Sequence, residues 1–230
     1  MNLTHLNYAT IILDSSAVIL AFVLLYETRL MRLCGRKADQ LFFRLLILTV
    51  IMAVSDIGAY ITENNGQLKY VQVISMSIFY VAFTLLSMSW FGYCTFKFKN
   101  EQNEEAKKTT LPFIPGIITI VSIFLNLFIH FIFYVDDLGG YHRSFLFIPM
   151  YIVLIVYIAM GFVFISRYRT VDKKQLIPLW LYMLPIVVGI IVTFVVGEVS
   201  MAALGTAITI AFTHLGTMNE VAEISIRETK

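Results

Sequence analysis

The pattern that decides the fold lies in residues 29–66, which read RLMRLCGRKADQLFFRLLILTVIMAVSDIGAYITENNG. Basic residues crowd its first third, an apolar stretch follows from 41 to 62, and Asn64-Asn65-Gly66 adds a turn signal. About 20 apolar residues suffice to cross about 30 Å of hydrocarbon, and basic residues concentrate in cytoplasmic loops. The segment therefore predicts a transmembrane helix that starts inside the cell and ends outside.

The composition of the whole chain indicates an integral membrane protein. Of its 230 residues, 59% are hydrophobic and 14% are charged, whereas soluble domains are about 45–50% apolar. Seven stretches are apolar and long enough, or nearly long enough, to be spans, at about 10–30, 41–62, 70–96, 111–134, 145–166, 176–196 and 200–215. The predicted fold class is all-α integral membrane, with a seven-helix transmembrane bundle.

The distribution of Lys and Arg orients this bundle. Of the 17 basic residues, all but Lys69 and Arg143 lie on one side of the predicted spans. The positive-inside rule then places the N-terminus outside and the C-terminus in the cytoplasm. Residues 1–216 form the predicted seven-transmembrane, sensor-like domain, and 217–230 form a cytoplasmic tail. The apolar spacing of the tail predicts a helix compatible with a signalling linker.

Polar residues within the predicted spans form the candidate binding site. An ionisable side chain at membrane depth costs about 2.5–3.5 kcal/mol on insertion scales, so its presence suggests a function. In the predicted topology the candidates lie in the outer half of the bundle or at its outer edge: Asp14, Asp56, Tyr60, Gln72, Asn126, His130 and Glu198. They predict an outward-facing pocket for a small cationic or hydrogen-bonding ligand. The alternative is that these groups pair with one another and hold the helices together.

Other chemistry lacks a signature in the sequence. No catalytic, cofactor-binding or metal-ligating motif occurs, which predicts a protein that is not an enzyme and needs no cofactor. The predicted last span has no lysine that could carry retinal. The formal charge is +2, and the basic residues flank the spans. The lipid bilayer is therefore the expected partner of these residues, and nucleic acid is not.

Four segments resemble a known family. They are Phe42-Phe43-Arg44-Leu45-Leu46, Ser55-Asp56-Ile57, Trp90-Phe91-Gly92-Tyr93 and Thr213-His214-Leu215-Gly216. The chain resembles the seven-transmembrane N-terminal sensor modules of bacterial membrane proteins, frequent in Firmicutes, which precede a GGDEF diguanylate cyclase or a histidine-kinase domain. The resemblance implies a bacterial cytoplasmic membrane protein with an effector of one of these two types, and it leaves a homodimer open. Neither catalytic domain occurs in the 230 residues, so catalysis is not implied.

Three functions follow from these patterns. The first is a signal-input module that detects a small extracellular or membrane-borne ligand and passes the signal to a cytoplasmic output through the last helix. The second is a small solute transporter or channel. Such a protein needs polar groups near the middle of the membrane, whereas these groups cluster toward one side. The third is an accessory or assembly protein of the membrane.

Overall fold

Long helices account for most of the structure. The computed structural model describes residues 5–30, 37–100, 111–167, 185, 187–189, 191–192 and 202–228. The long helices are α1 (His5–Leu30), α2 (Lys37–Thr62), α3 (Lys69–Asn100), α4 (Ile114–Ile129), α5 (Phe147–Arg167) and α6 (Ala202–Glu228). Most of the predicted span at 176–196, and Glu198 after it, lie outside the described residues.

Within the described ranges, four helical segments are long and apolar enough to cross a membrane. They are Asn7–Thr28, Gln40–Thr62, Gly66–Phe96 and Leu111–Ile129. Two shorter apolar helices are Phe147–Gly161 and Ala202–Leu215. The chain is therefore predominantly helical, and its helices have the length and composition of those in a membrane protein.

α2 and α3 pack most extensively and form the centre of the bundle. α1 packs against α2 and α6, whereas α4 and α5 pack against α3. The largest fully buried side chains include Phe83 in α3, Leu46 in α2 and Leu154 in α5. α1 and α6 thus pack against α2 and each other, and α4 and α5 mainly against α3.

α1 buries a single narrow stripe of side chains. Its buried residues follow one another at alternating steps of three and four: Asn7, Thr10, Asp14, Ala17, Ala21, Leu24 and Thr28. This heptad spacing is typical of helices that pack in a left-handed supercoil. Large apolar residues on the other faces are exposed, among them Ile12, Ile19 and Phe22. The buried stripe is therefore the more polar face of α1, as expected for a helix whose other faces contact lipid.

The predicted fourth span extends beyond the helix. α4 ends at Ile129, and His130 adopts a left-handed conformation, with a φ of 60°, that terminates it. A β-hairpin follows, with β1 (Phe133–Val135) paired antiparallel to β2 (Tyr141–Arg143). The prediction of helix up to residue 134 is wrong here, because the aromatic and β-branched residues 133–135 pair as a strand. The end of the bundle that carries this hairpin is called the hairpin end below.

Two turns meet at the hairpin end. Asn64 has a φ of 59° and Gly139 a φ of 91°, both in the region that turns require. The Asn64 backbone N–H donates a hydrogen bond to the Gly139 carbonyl over 3.0 Å. The turn between α2 and α3 is thereby joined to the tip of the hairpin, and the turn predicted at Asn64-Asn65-Gly66 is confirmed.

Candidate functional site

The candidate site lies between α1 and α2, at the hairpin end of their interface. α1 and α2 are antiparallel, so a step of three or four residues forward along α1 corresponds to an equal step backward along α2. Three polar pairs meet in this register: Asn7 with Glu63, Thr10 with Tyr60, and Asp14 with Asp56. The stripe on α1 thus brings three of its four polar members to polar partners at the end of α2 and just after it.

Asp14 and Asp56 form the innermost of these pairs. The Asp14 side chain is 0% exposed and that of Asp56 is 2% exposed. Their carboxyl groups lie within hydrogen-bonding reach of each other. Apart from Asp56, no described group donates to either oxygen of Asp14. Because two carboxylates have no proton to share, the contact is a hydrogen bond only when one of them is protonated.

Two further pairs extend the site toward the hairpin end. The Tyr60 hydroxyl is hydrogen-bonded to Thr10. One turn further along, Asn7 Nδ2 donates to Glu63 Oε2 over 2.9 Å. The three pairs form a polar strip from the half-exposed Glu63 to the buried Asp14.

An aromatic cluster lies on the other side of Asp56. Asp56 is close enough to Tyr141 of the hairpin and Tyr151 of α5 to interact with them electrostatically. The hydroxyls of Tyr141 and Tyr80 are 2.7 Å apart, and the Tyr80 ring contacts the Tyr151 ring at a centroid distance of 6.4 Å. Aromatic side chains are therefore next to one of the two carboxyl groups.

Asn126 and His130 do not join the Asp14–Asp56 pair by any hydrogen bond that the described structure contains. Asn126 is fully buried, and its Oδ1 accepts the Ile132 N–H over 2.6 Å while its Nδ2 donates to the Phe133 carbonyl over 3.0 Å. These bonds position β1 against the end of α4. The exposed His130 ends that helix. The geometry gives both residues a structural role, and a ligand-binding role for them stays a prediction.

Gln72 is buried without a described partner. Its side chain is 0% exposed, and neither amide atom has a hydrogen bond within the described part of the chain. A buried amide without a partner is costly, so Gln72 stays a candidate for contact with a ligand or with a residue outside that part. Glu198 lies outside the described residues.

Three members of this strip were not among the site residues predicted from the sequence: Asn7, Thr10 and Glu63. The signal that could have found them is the heptad spacing of α1, in which Asn7 and Thr10 lie on the same stripe as Asp14. Glu63 then follows from the antiparallel register with α2.

Comparison with known proteins adds no relative. No protein-family model matches the chain, and no match was found among curated proteins or solved structures.

Proposed function

We propose that this chain is a membrane-embedded signal-input module. The Asp14–Asp56 pair would bind a small cation, of which the proton is the simplest, and the last helix would pass the change to a cytoplasmic output. In this proposal the protein has seven spans, lies in a bacterial cytoplasmic membrane and has its N-terminus outside. The output would belong to a diguanylate cyclase or histidine-kinase effector, as the family resemblance implies.

One observation carries the proposal: α1 contains Asp14 and packs directly along α6. α6 comprises 27 residues without a break from Ala202 to Glu228, so at 1.5 Å per residue it is about 40 Å long. The hydrocarbon layer is about 30 Å thick, so the helix is long enough to continue past it. A shift of α1 would therefore reach the far end of α6 through continuous helix.

The chemistry of the pair supports a cationic ligand. Two carboxylates side by side at low dielectric repel each other strongly, and a bound proton or metal cation removes that repulsion. A cation that binds more tightly to one packing of α1 and α2 than to another shifts their equilibrium. The pair can thus translate cation binding into a change of helix packing.

A small transporter is the alternative. Glu27 of α1 and His214 of α6 lie 3.4 Å apart, toward the other end of α1, so polar groups occur near both ends of this helix. Between the ends lie Ala17, Ala21 and Ala53, each 0% exposed, and the buried Thr49, whose hydroxyl donates to the Leu45 carbonyl of its own helix. Along this stretch the described residues offer few free polar groups, which favours the signal-input function.

Infrared difference spectroscopy tests the proposed site on the full chain in lipid nanodiscs. A protonated carboxylic acid in a dry site absorbs at a C=O frequency distinct from that of a carboxylate. We expect such a band in the parent protein, with an intensity that changes with pH, and its loss in Asp14→Asn and in Asp56→Asn. Asp136→Asn, at the hairpin turn, is the matched control and should keep the band.

The same samples test the transmission to α6. Spin labels on the exposed residues Ile19 of α1 and Leu215 of α6 should change their distance on acidification, or on addition of Na⁺, K⁺ or choline. This change should be absent in Asp14→Asn. The proposal is refuted if the infrared band is absent and the distance between the labels does not change with any of these cations. Proton flux into proteoliposomes that depends on Asp14 would favour the transporter instead.

A further inference from the structure

His214 occupies a specific position on α6, near the end of the bundle opposite the hairpin. Its side chain is 4% exposed, although histidine is polar and lies on an apolar helix. Its ring stacks on Phe42 of α2, with a centroid distance of 5.6 Å and an interplanar angle of 19°. Its Nε2 lies 3.4 Å from Glu27 Oε2 of α1. One side chain thus contacts both helices of the candidate site.

The ring on which His214 stacks belongs to a row of aromatic side chains. Phe42 packs on Tyr93 of α3 with centroids 6.2 Å apart, and Tyr93 packs on Trp90 at 5.9 Å. Trp90 in turn lies against α5, where a Cβ added at Gly161 would be 3.1 Å from Nε1. The row connects α6 to α2, α3 and α5 at one level.

Two threonine hydroxyls of α6 donate to carbonyls of their own helix. The Thr206 hydroxyl donates to the Ala202 carbonyl over 2.7 Å, and the Thr213 hydroxyl donates to the Thr209 carbonyl over 2.9 Å. Such i to i−4 bonds do not tie α6 to another helix. His214, by contrast, makes a polar contact with another helix, at Glu27 of α1.

We propose that His214 is a positioning residue that fixes α6 to the α1–α2 pair, through its stack on Phe42 and its polar contact with Glu27. Glu27 is half exposed, so its carboxylate can approach or leave the imidazole without a large desolvation cost. The stack on Phe42 is buried and persists when Glu27 moves away. α6 therefore has one permanent contact with α2 and one variable contact with α1. The change that this contact would transmit is the one caused by cation binding at Asp14 and Asp56, so this part of the inference rests on the proposed function.

Spin-label distances test the role of each contact on the full chain in lipid nanodiscs. The two cysteines, Cys34 and Cys94, are replaced by alanine, and labels are placed at Ile19 and Leu215. The parent should give one narrow distance distribution. Glu27→Gln should add a second population, because it weakens only the polar contact. His214→Phe should do the same while keeping a ring on Phe42, and His214→Ala should broaden the distribution most.

Two neighbouring variants serve as controls. Tyr26→Phe and Phe212→Ala alter exposed side chains beside Glu27 and His214 and should leave the distribution narrow. If Glu27→Gln and His214→Phe both match the parent, while His214→Ala only lowers the unfolding temperature, His214 is a packing residue and the proposal is wrong.

The variants also separate this inference from the proposed function. In the parent, Asp14→Asn should shift the distance between the labels, and in the His214→Ala background it should not. If Asp14→Asn has no effect in either background while Glu27→Gln does, His214 positions α6 as proposed and the stimulus site at Asp14 is refuted.

Discussion

Gly116 of α4 lies directly against Tyr157 of α5, and its backbone N–H donates to the tyrosine hydroxyl over 2.9 Å. The same hydroxyl donates to the Pro112 carbonyl over 2.8 Å. It thereby satisfies backbone groups at the start of α4, where a helix has no internal partners for its N–H groups. This contact depends on the absence of a side chain at position 116.

Gly116→Ala should therefore destabilise the protein. The added Cβ would lie 3.0 Å from the Tyr157 hydroxyl and 2.8 Å from Met88 Cγ. Overpacking costs about 1–3 kcal/mol, and alanine regains about 0.5–1 kcal/mol of helix propensity, so we expect a net loss of about 1 kcal/mol. Thermal unfolding in detergent measures it, as a decrease of about 2–4 °C.

Gly92→Ala is the matched control for this substitution. Gly92 lies inside α3, and a Cβ there would meet nothing within 4 Å. The helix-propensity gain is then unopposed, and the unfolding temperature should rise. A decrease of similar size in both variants would show that the contact with Tyr157 does not matter.

Asn126→Ala should detach the hairpin from α4. It leaves the backbone N–H of Ile132 and both polar backbone groups of Phe133 without their side-chain partner. Buried unsatisfied groups cost about 1–3 kcal/mol each, so the loss should reach at least about 2 kcal/mol. Hydrogen exchange at Ile132 and Phe133 should accelerate together with this loss.

His130→Gly provides the comparison for Asn126→Ala. Glycine adopts the positive φ of this position without strain, so the unfolding temperature should stay unchanged or rise slightly. If this variant is as unstable as Asn126→Ala, His130 makes a contribution that its exposed position does not explain.

Substitutions of Thr10 and Tyr60 should have coupled effects on the free energy of unfolding. Thr10→Val and Tyr60→Phe each remove one hydroxyl of their hydrogen bond. In a double-mutant cycle the two losses should not add, and the coupling should be about 0.6 kcal/mol, a typical value for hydrogen bonds between membrane helices. Strictly additive losses would argue against the α1–α2 register described above.

The hairpin turn should loosen in acid. A hydrogen bond from His142, together with the N–H groups of Gly140 and Leu138, holds the pKa of Asp136 below its usual range. A carboxyl whose pKa is lower in the folded state stabilises that state above the unfolded pKa, about 3.9, and the contribution disappears as the pH falls through the folded pKa. The protection factors of the Leu138 and Gly140 amides against hydrogen exchange should therefore fall below about pH 4. Asp136→Asn should remove this pH dependence.

Part of the candidate site could be predicted from the sequence, because the predicted topology gives the depth of each residue in the membrane. Asp14 early in the first predicted span and Asp56 late in the second share one level, and the structure joins these two with Tyr60 beside them. Which neighbours meet at that level depends on the rotation of each helix. In α1 the buried stripe mixes Asn, Thr, Asp and Ala, so hydrophobic periodicity does not reveal it.

The hairpin could not be predicted for a different reason. Residues 131–135 read FIFYV, and such a short apolar run fits the end of a helix as well as a strand. Asn126 favours the strand over the helix for these residues, because its side chain bonds to backbone groups six and seven residues ahead. That geometry has no periodic signature in the sequence.

The bond between Asn64 and Gly139 has a mechanical consequence for the whole bundle. It fastens the α2–α3 turn to the hairpin, and the hairpin leads directly into α5, so α2, α3 and α5 behave as a frame. α1 lies outside this frame and packs against α2 and α6. α6 is held to this frame by the stack of His214 on Phe42, so α1 can change its tilt against α2 and α6 without breaking the bond between Asn64 and Gly139.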